Sequence, residues 1–469
     1  MRPVKPVPSR PVLVADRRHS MPRTPTLTPA LAGIVLSIGL LPATLLAQDE
    51  SAPSTLPELV RAAIATHEDV ARADSQIRRA QADIKLTSSA LLPRLDLNGA
   101  WTRYQDELAI ELYPGESFVI RPADDWVWSA DLTQTLFYGL RDWRARDIAK
   151  LTRDIAELQR TTVINDLTLT VAADFYTAVA AEQRVEVERV SLEANETQLK
   201  VTERRFDVGE VSVADVARWR AEVAAGRQRL VVAEGEAEIA RRRLARIAGV
   251  PEVGQLVTPG PIPVPPGQDE SLRLQAMDGR LEMATLRNQM EAAGLWIRVQ
   301  RGGWLPELDA NVQYLEQKSA FPSDSWLSLS LNLRVPVYDG GLTAARVARA
   351  KEDLIEVELL ETKVRKAISD QVDAAAVTYR AATAALEAAG ERREASREAY
   401  RQVDRAYRVG EATTVDLLDA TTEATDAANT LIIATAQREY QAIALRHAIG
   451  LPPLPDLDPS SPLSEEATP

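Results

Sequence analysis

The 469-residue sequence predicts a mainly α protein with a small β part, a tandem repeat in which each half contributes two strands and one long coiled-coil helical hairpin. Three observations carry that expectation. Val208-Gly209-Glu210-Val211-Ser212-Val213-Ala214-Asp215 returns as Val409-Gly410-Glu411-Ala412-Thr413-Thr414-Val415-Asp416, at an offset of 201 residues. Leu92-Pro93-Arg94-Leu95-Asp96 returns as Leu305-Pro306-Glu307-Leu308-Asp309, at an offset of 213. No proline occurs between Pro122 and Pro251 or between Pro336 and Pro452, and apolar residues in those stretches recur at three- and four-residue steps.

The chain opens with Arg2, Lys5, Arg10, Arg17, Arg18 and Arg23, followed by an apolar run from Ala30 to Ala47. That order is the layout of a secretory signal peptide, expected over residues 1–47 with cleavage after Ala47; Met21 offers a second start, because 21–47 is itself a complete signal. The alternative, a membrane anchor, is weakened by Pro42 and by the shortness of the run for a spanning helix. Six of the 55 basic and one of the 68 acidic residues lie in 1–47, which leaves 49 against 67 and a net charge of −18. Such a chain is a poor partner for nucleic acid. Cysteine is absent, which excludes disulfides, thiolate metal sites, a cysteine nucleophile and an acylated lipoprotein cysteine. No later run has the length of a transmembrane helix, so entry into a membrane would require a β-barrel.

The first repeat is expected over 48–253. Residues 56–92 carry Leu59, Ala63, Val70, Ile77 and Ile84 at helical spacing, a leading helix that Pro93 stops. Alternation follows: Leu95, Leu97 and Trp101 against Asp96, Asn98 and Thr102, then Trp126, Trp128, Ala130 and Leu132 against Ser129, Asp131 and Thr133. The second half repeats it with Leu308, Ala310 and Val312, then with Leu327, Leu329, Leu331 and Leu333. A period of two means half-buried strands, four in all. The connection from Asp106 to Asp125 is polar, carries Pro and Gly, and is 12 residues longer than its counterpart, the difference between the two offsets.

After Leu136-Phe137-Tyr138-Gly139 and Val337-Tyr338-Asp339-Gly340 the halves align without a gap as far as Gly249-Val250-Pro251 and Gly450-Leu451-Pro452. Ile148, Leu151, Ile155 and Leu158, and later Leu354, Val357, Val364 and Ile368, mark coiled-coil seams. The residues between Gly139 and Val208 would make one helix of roughly 100 Å. The return arm from Ser212 to Ile247 is shorter, and the leading helix can complete its layer end to end. At each tip Gly suits a left-handed helix end, Ser212 or Thr413 can cap the next helix, and Asp215 or Asp416 stands where a capping box places its acid. A Pro/Gly-rich linker is expected over 254–270, the second repeat over 271–452 and a disordered tail over 453–469.

With these residues in view, the chain resembles the TolC-type outer-membrane efflux proteins, or outer membrane factors, over about residues 55–452. The resemblance rests on the tandem repeat, the Leu-Pro strand starts, the Phe137-Tyr138-Gly139 and Tyr338-Asp339-Gly340-Gly341 strand ends, and the two Val-Gly-Glu tips. It implies a homotrimer forming one tube, a 12-stranded β-barrel in the cell outer membrane continued by an α-helical barrel across the periplasm. It also implies the passive exit duct of a tripartite efflux pump or type I secretion system, opened by docking of a periplasmic adaptor (membrane fusion) protein and driven by an inner-membrane transporter. Strand arithmetic agrees, because four strands fall short of the minimum of about eight for a membrane barrel whereas three copies supply twelve. The apolar strand faces would meet outer-membrane lipid, with Trp101, Trp126, Trp128, Trp304 and Trp326 near its interfaces.

By match to the family, Val208, Gly209, Glu210, Val409, Gly410 and Glu411 are adaptor-docking residues, although an acid after each Gly is less typical and both glycines also serve simply as helix terminators. Asp416 and Asp419 match the family's aperture aspartates, six carboxylates in a trimer, which would concentrate cations and hinder anions. Asp215 matches the family's first-half tip aspartate, which the resemblance places in the same constriction. The alternative for all three is capping by Asp215 and Asp416 with a solvated Asp419. Ala412 stands where the family often has a basic residue, which puts a gating salt bridge there in doubt.

Nothing in the sequence supports catalysis, a cofactor or a metal. His19 falls in the signal, His67 in the leading helix and His447 in a terminal helix turn, none with a companion at ligand spacing. The rival reading is a periplasmic adaptor or coiled-coil scaffold. Adaptors carry one hairpin within a β-domain, whereas this chain has two in tandem, each preceded by a Trp-bearing strand pair.

Overall fold

The computed structural model describes residues 54–267, 269–319 and 324–455, all within the unit Asp49–Pro469. The expected signal peptide and residues 456–469 of the expected tail lie outside the described residues. The first repeat runs β1 (Ser54–Thr55), α1 (Leu56–Thr66), α2 (Glu68–Ser89), β2 (Arg94–Arg103), β3 (Leu108–Tyr113), β4 (Glu116–Arg121), β5 (Asp124–Tyr138), α3 (Arg141–Asp207), α4 (Val213–Ala248) and β6 (Leu256–Val257). The second runs α5 (Asp269–Gly279), α6 (Leu281–Arg301), a 3-10 turn (Gly302–Trp304), β7 (Glu307–Gln317), β8 (Ser325–Arg334), α7 (Leu342–Val409) and α8 (Thr414–Ala448).

The leading helix expected over 56–92 is two helices. His67 is extended at φ −72°, ψ 132°, and its Nδ1 accepts the Asp69 N–H at 3.2 Å, so His67 caps α2 while Glu68 and Asp69 supply the acids favoured in a first turn. Arg280 breaks α5 from α6 in the same conformation, φ −73°, ψ 128°, at the repeat offset of 213. Both breaks lie where a returning helix comes close. A Cβ on Gly249 would run into the Thr66 side chain, and one on Gly450 into the backbone of Gly279 and Arg280, so each returning helix ends against the interruption.

The four expected strands form one antiparallel sheet in the order β2-β5-β7-β8, which leaves β2 and β8 as bare edges. Leu97 pairs with Ala130, Leu132 with Val312 and Val312 with Leu329, so one face is apolar across all four strands, and Leu97, Leu327 and Leu329 are exposed. The other face is a polar network centred on Asp131, which accepts from Asn98 at 2.9 Å, Ser129 at 2.7 Å and Gln313 at 2.6 Å. The polar, Pro- and Gly-bearing connection over 106–125 contains a hairpin that the sequence reading did not assign: β3 and β4 pair antiparallel around Pro114-Gly115, with Gly115 at φ +95°. Another pairing absent from the sequence reading joins β1 to β6 in parallel.

The two long helices are unbroken, 67 residues in α3 and 68 in α7. Antiparallel pairing of α3 with α4 is marked by Arg243–Asp174, Arg229–Glu188, Arg227–Glu196 and Arg220–Glu203, a ladder that fixes register while each exposed pair adds well under about 1 kcal/mol. Stability comes from the apolar clusters. The larger one joins Leu56 and Val60 of α1, Phe175 of α3, Leu244 of α4 and Ile443 of α8. The connection between repeats packs into it: Ile262 is buried, its N–H donating to Glu439 at 3.1 Å, and Arg446 donates to the Pro263 carbonyl at 3.0 Å. Leu454 is buried there too, so packing extends past residue 452.

Candidate functional site

At the ends of the two hairpins farthest from the strands, α3 stops at Val208 and α7 at Gly410. Gly209 has φ +80° and Gly410 φ +84°. The Glu210 N–H donates to the Arg205 carbonyl and the Glu411 N–H to the Ala406 carbonyl, both at 2.9 Å, while the glycine N–H groups donate three residues back. Both ends are therefore Schellman motifs. Around them Val208 is 72% and Val409 71% exposed, and a Cβ on either glycine would meet open space. The six tip residues singled out in the sequence thus form two matching, accessible knuckles.

The following helices start with the expected capping boxes. Ser212 Oγ accepts the Asp215 N–H at 3.3 Å while Asp215 accepts the Ser212 N–H at 3.1 Å. Thr413 and Asp416 repeat this at 3.2 and 2.8 Å. The Thr413 hydroxyl and N–H hold the Asp416 carboxyl below the usual range, and the Ser212 hydroxyl does most to lower that of Asp215. The three aspartates differ in their neighbours. Asp215 has Arg218 at 3.7 Å, whereas the residue at the Arg218 position of the second repeat is Asp419, exposed and without an ion pair among the described residues. The second tip accordingly carries two carboxylates where the first carries an acid and a base.

Beneath the knuckles lies a cluster that the sequence reading missed. Trp219, Tyr407 and Leu417 are buried together, with Leu199, Tyr400, Val403, Ala412 and Leu418 against them, so first and second hairpins share one core at the tips. Ala412 belongs to this packing. Arg205 crosses between the tips, donating to the Arg408 carbonyl at 3.3 Å and pairing with Glu210 at 3.5 Å. The available signal was asymmetry: Trp219 and Arg205 correspond to Ala420 and Ala406 in the other repeat.

Among the described residues no group of three His, Asp or Glu is placed to hold a metal ion, and no helix is long and apolar enough to cross a membrane. His67 caps α2, and His447 lies 3.6 Å from Asp166, with its pKa lowered by burial and by Arg280.

An amphipathic sheet with bare edges, continued by two long in-register hairpins, defines a subunit of a membrane channel with a helical extension. The chain matches the model of the outer membrane efflux protein family over residues 59–250 and 272–451, and it belongs to that family. It is 24% identical to outer membrane protein TolC of Salmonella enteritidis, covering 80% of this chain and 79% of that protein. It is 28% identical to CyaE of Bordetella pertussis, covering 70% and 72%. Among solved structures, VceC of Vibrio cholerae has a TM-score of 0.69 at 14% identity, covering 84% of this chain and 96% of that one. The CmeC channel of Campylobacter jejuni has a TM-score of 0.70 at 15% identity, covering 84% and 85%. The protein is an outer-membrane efflux channel subunit with its helices in the periplasm, and the adaptor reading falls away.

Proposed function

We propose that three copies close a twelve-stranded barrel and a periplasmic tunnel that serves as the passive exit duct of a tripartite pump or secretion system. In this reading a periplasmic adaptor docks on Val208, Gly209, Glu210, Val409, Gly410 and Glu411, and an inner-membrane transporter supplies the energy. Asp416 and Asp419 form the cation-attracting constriction, with Asp215 a capping residue beside it. The observation that carries the assembly is the sheet: four strands, an apolar face exposed across them and two unpaired edges, a combination that only further copies of the same strands can complete. Relatives are named for cargoes as different as pyoverdine, in Pseudomonas putida, and alkaline protease, in Pseudomonas aeruginosa, which fits a duct whose cargo is chosen by its transporter. Fractionated envelopes are the test. A heat-modifiable trimer in the outer membrane is expected, and a soluble periplasmic monomer would overturn the reading.

A further inference from the structure

The two repeats pair their strands in one register. Adding the offset of 213 to a β2 residue and 201 to its β5 partner turns the β2–β5 ladder into the β7–β8 ladder: Arg94↔Thr133 becomes Glu307↔Arg334, Leu97↔Ala130 becomes Ala310↔Leu331, and Thr102↔Asp125 becomes Leu315↔Trp326. The remaining ladder, β5–β7, joins the last strand of the first repeat to the first strand of the second. Its counterpart would join β8 to a following β2, and one chain cannot make that pair. Its own β2 lies at the opposite edge of the sheet, three strand spacings or about 14 Å away.

The segment after β8 shows what is missing. In the first repeat residues 134–138 pair with β7, with a register shift between Thr135 and Phe137, whereas their counterparts 335–339 follow the end of β8 at Arg334 and belong to no strand. Val337 is 92% and Tyr338 89% exposed, against 53% for Leu136 and partial burial of Phe137. Pro336 falls at the register shift, where a ladder tolerates a missing N–H.

We propose that β8 of one copy pairs antiparallel with β2 of the next in the register that β5 holds with β7, and that the ladder runs on through 335–339; this rests on the trimeric reading above. The two offsets then set Leu331 opposite the partner's Trp101, Leu333 opposite the partner's Gly99, Val335 opposite the partner's Leu97 and Tyr338 opposite the partner's Leu95. The lipid-facing surface thus continues unbroken from copy to copy. A slip of one residue would turn these side chains onto the face of the partner's Asp96 and Asn98. At the foot of the ladder the chemistry changes. Inside the chain Arg141 pairs with Glu307 and lies 3.6 Å from the centre of the Tyr138 ring. The counterparts of these three are Leu342, the partner's Arg94 and Asp339, so Asp339 meets the partner's Arg94 and an acid–base pair replaces the clasp. Arg94, its side chain 78% exposed, pairs within its own copy with Asp96 at 2.8 Å.

Because the chain has no cysteine, paired thiols can test the register in intact cells treated with copper phenanthroline. Asn332→Cys with Ala100→Cys, and Ser330→Cys with Thr102→Cys, set thiols directly opposite on the water-facing side, at the Cα separation of about 4.5–5.5 Å that a disulfide spans. Asn332→Cys with Asn98→Cys, or with Thr102→Cys, tests slips of two residues, since the proposed register leaves those pairs diagonal at about 7–8 Å. Trimer formation is scored separately by heat-modifiability before oxidation. Covalent dimers and trimers are expected from both opposed pairs and from neither diagonal pair. Arg94→Glu should lower the temperature at which the trimer dissociates in detergent more than Arg94→Gln does, and Asp339→Asn should remove most of that difference. A normal trimer that crosslinks through a diagonal pair instead, or through no pair, overturns the register alone. Equal dissociation of Arg94→Glu and Arg94→Gln overturns the acid–base pair. Absence of any trimer in the unaltered protein removes the register together with the reading beneath it.

Discussion

The guanidinium of Arg205, in the first hairpin, lies 5.5 Å from the centre of the Tyr407 ring in the second. The same side chain reaches the Arg408 carbonyl and Glu210, so one cation ties the two tips. Each contact is modest, about 0.5–1 kcal/mol for a partly exposed cation–π pair and less for the ion pair. Losing them together by Arg205→Ala removes about 1–2 kcal/mol, enough to shift a closed–open balance about 5- to 30-fold. Higher single-channel conductance in planar bilayers is the expected outcome, with Arg205→Lys intermediate because it keeps the charge but not the planar fork. Conductance unchanged in the Ala variant would mean that packing alone holds the tips.

In the proposed constriction the paired carboxylates of the second tip would set an ion preference. Replacing Asp416 and Asp419 by Ala should lower cation selectivity, read as a shift of reversal potential in a salt gradient. Asp416 has its folded pKa depressed, chiefly by the Thr413 hydroxyl. Its cap therefore stabilises α8 above the unfolded value of about 3.9 and is lost as pH falls through the lower folded one. The share of the selectivity owed to Asp416 should accordingly outlast a fall in pH through the unfolded value and be lost only at the lower folded one. An unaltered reversal potential in the double variant would leave Asp416 as a cap and Asp419 as a surface residue.

Trp219 tests whether the tips fold as a separate cluster. It is 1% exposed, and its Nε1 has no hydrogen-bond partner. Trp219→Ala should cost the tip about 3–5 kcal/mol, whereas Trp219→Phe keeps most of the area and removes the unsatisfied indole N–H. Since the larger apolar clusters contain none of the tip residues, trimer yield should hold. Hydrogen exchange should rise around 199–219 and 403–418 in the Ala variant only. Loss of the whole trimer would show that the tip is not separate.

What the sequence disclosed and what it hid follow from the range of the forces involved. Gly209, Ser212 and Asp215 act on neighbours within one turn, so their spacing revealed the tip and its cap. The alternation from Leu327 to Leu333 likewise exposed a strand, because a sheet with two different faces imposes a period of two. His67 interrupts a helix with no proline or glycine beside it, and the close approach of Gly249 to Thr66 at that break comes from far along the chain. The β3–β4 arms are too short to hold a period against Pro114 and Gly115. Asp419 looked like half of an acidic pair by resemblance; only placing it at the position of Arg218 shows that the two tips differ in charge.

Four glycines end the long helices with positive φ, and their surroundings divide them into two pairs. A Cβ on Gly209 at +80° or Gly410 at +84° would face open space, whereas one on Gly249 at +69° or Gly450 at +79° would meet Thr66 or the Gly279–Arg280 backbone. Alanine at any of the four pays the left-handed cost of about 1–2 kcal/mol. At Gly249 and Gly450 the added Cβ also meets atoms that must move, and at Gly450 those atoms are backbone. Gly450→Ala should therefore lower the yield of assembled protein most, Gly249→Ala next, and the tip variants hardly at all. Valine at Gly209 or Gly410 adds bulk where an adaptor would meet the knuckle, so outer-membrane levels and conductance should stay normal while adaptor crosslinking and export are lost. Export at the wild-type level by both valine variants would remove the tip glycines from the docking surface. Equal assembly of Gly450→Ala and Gly410→Ala would show that the α5–α6 break can yield to a methyl group.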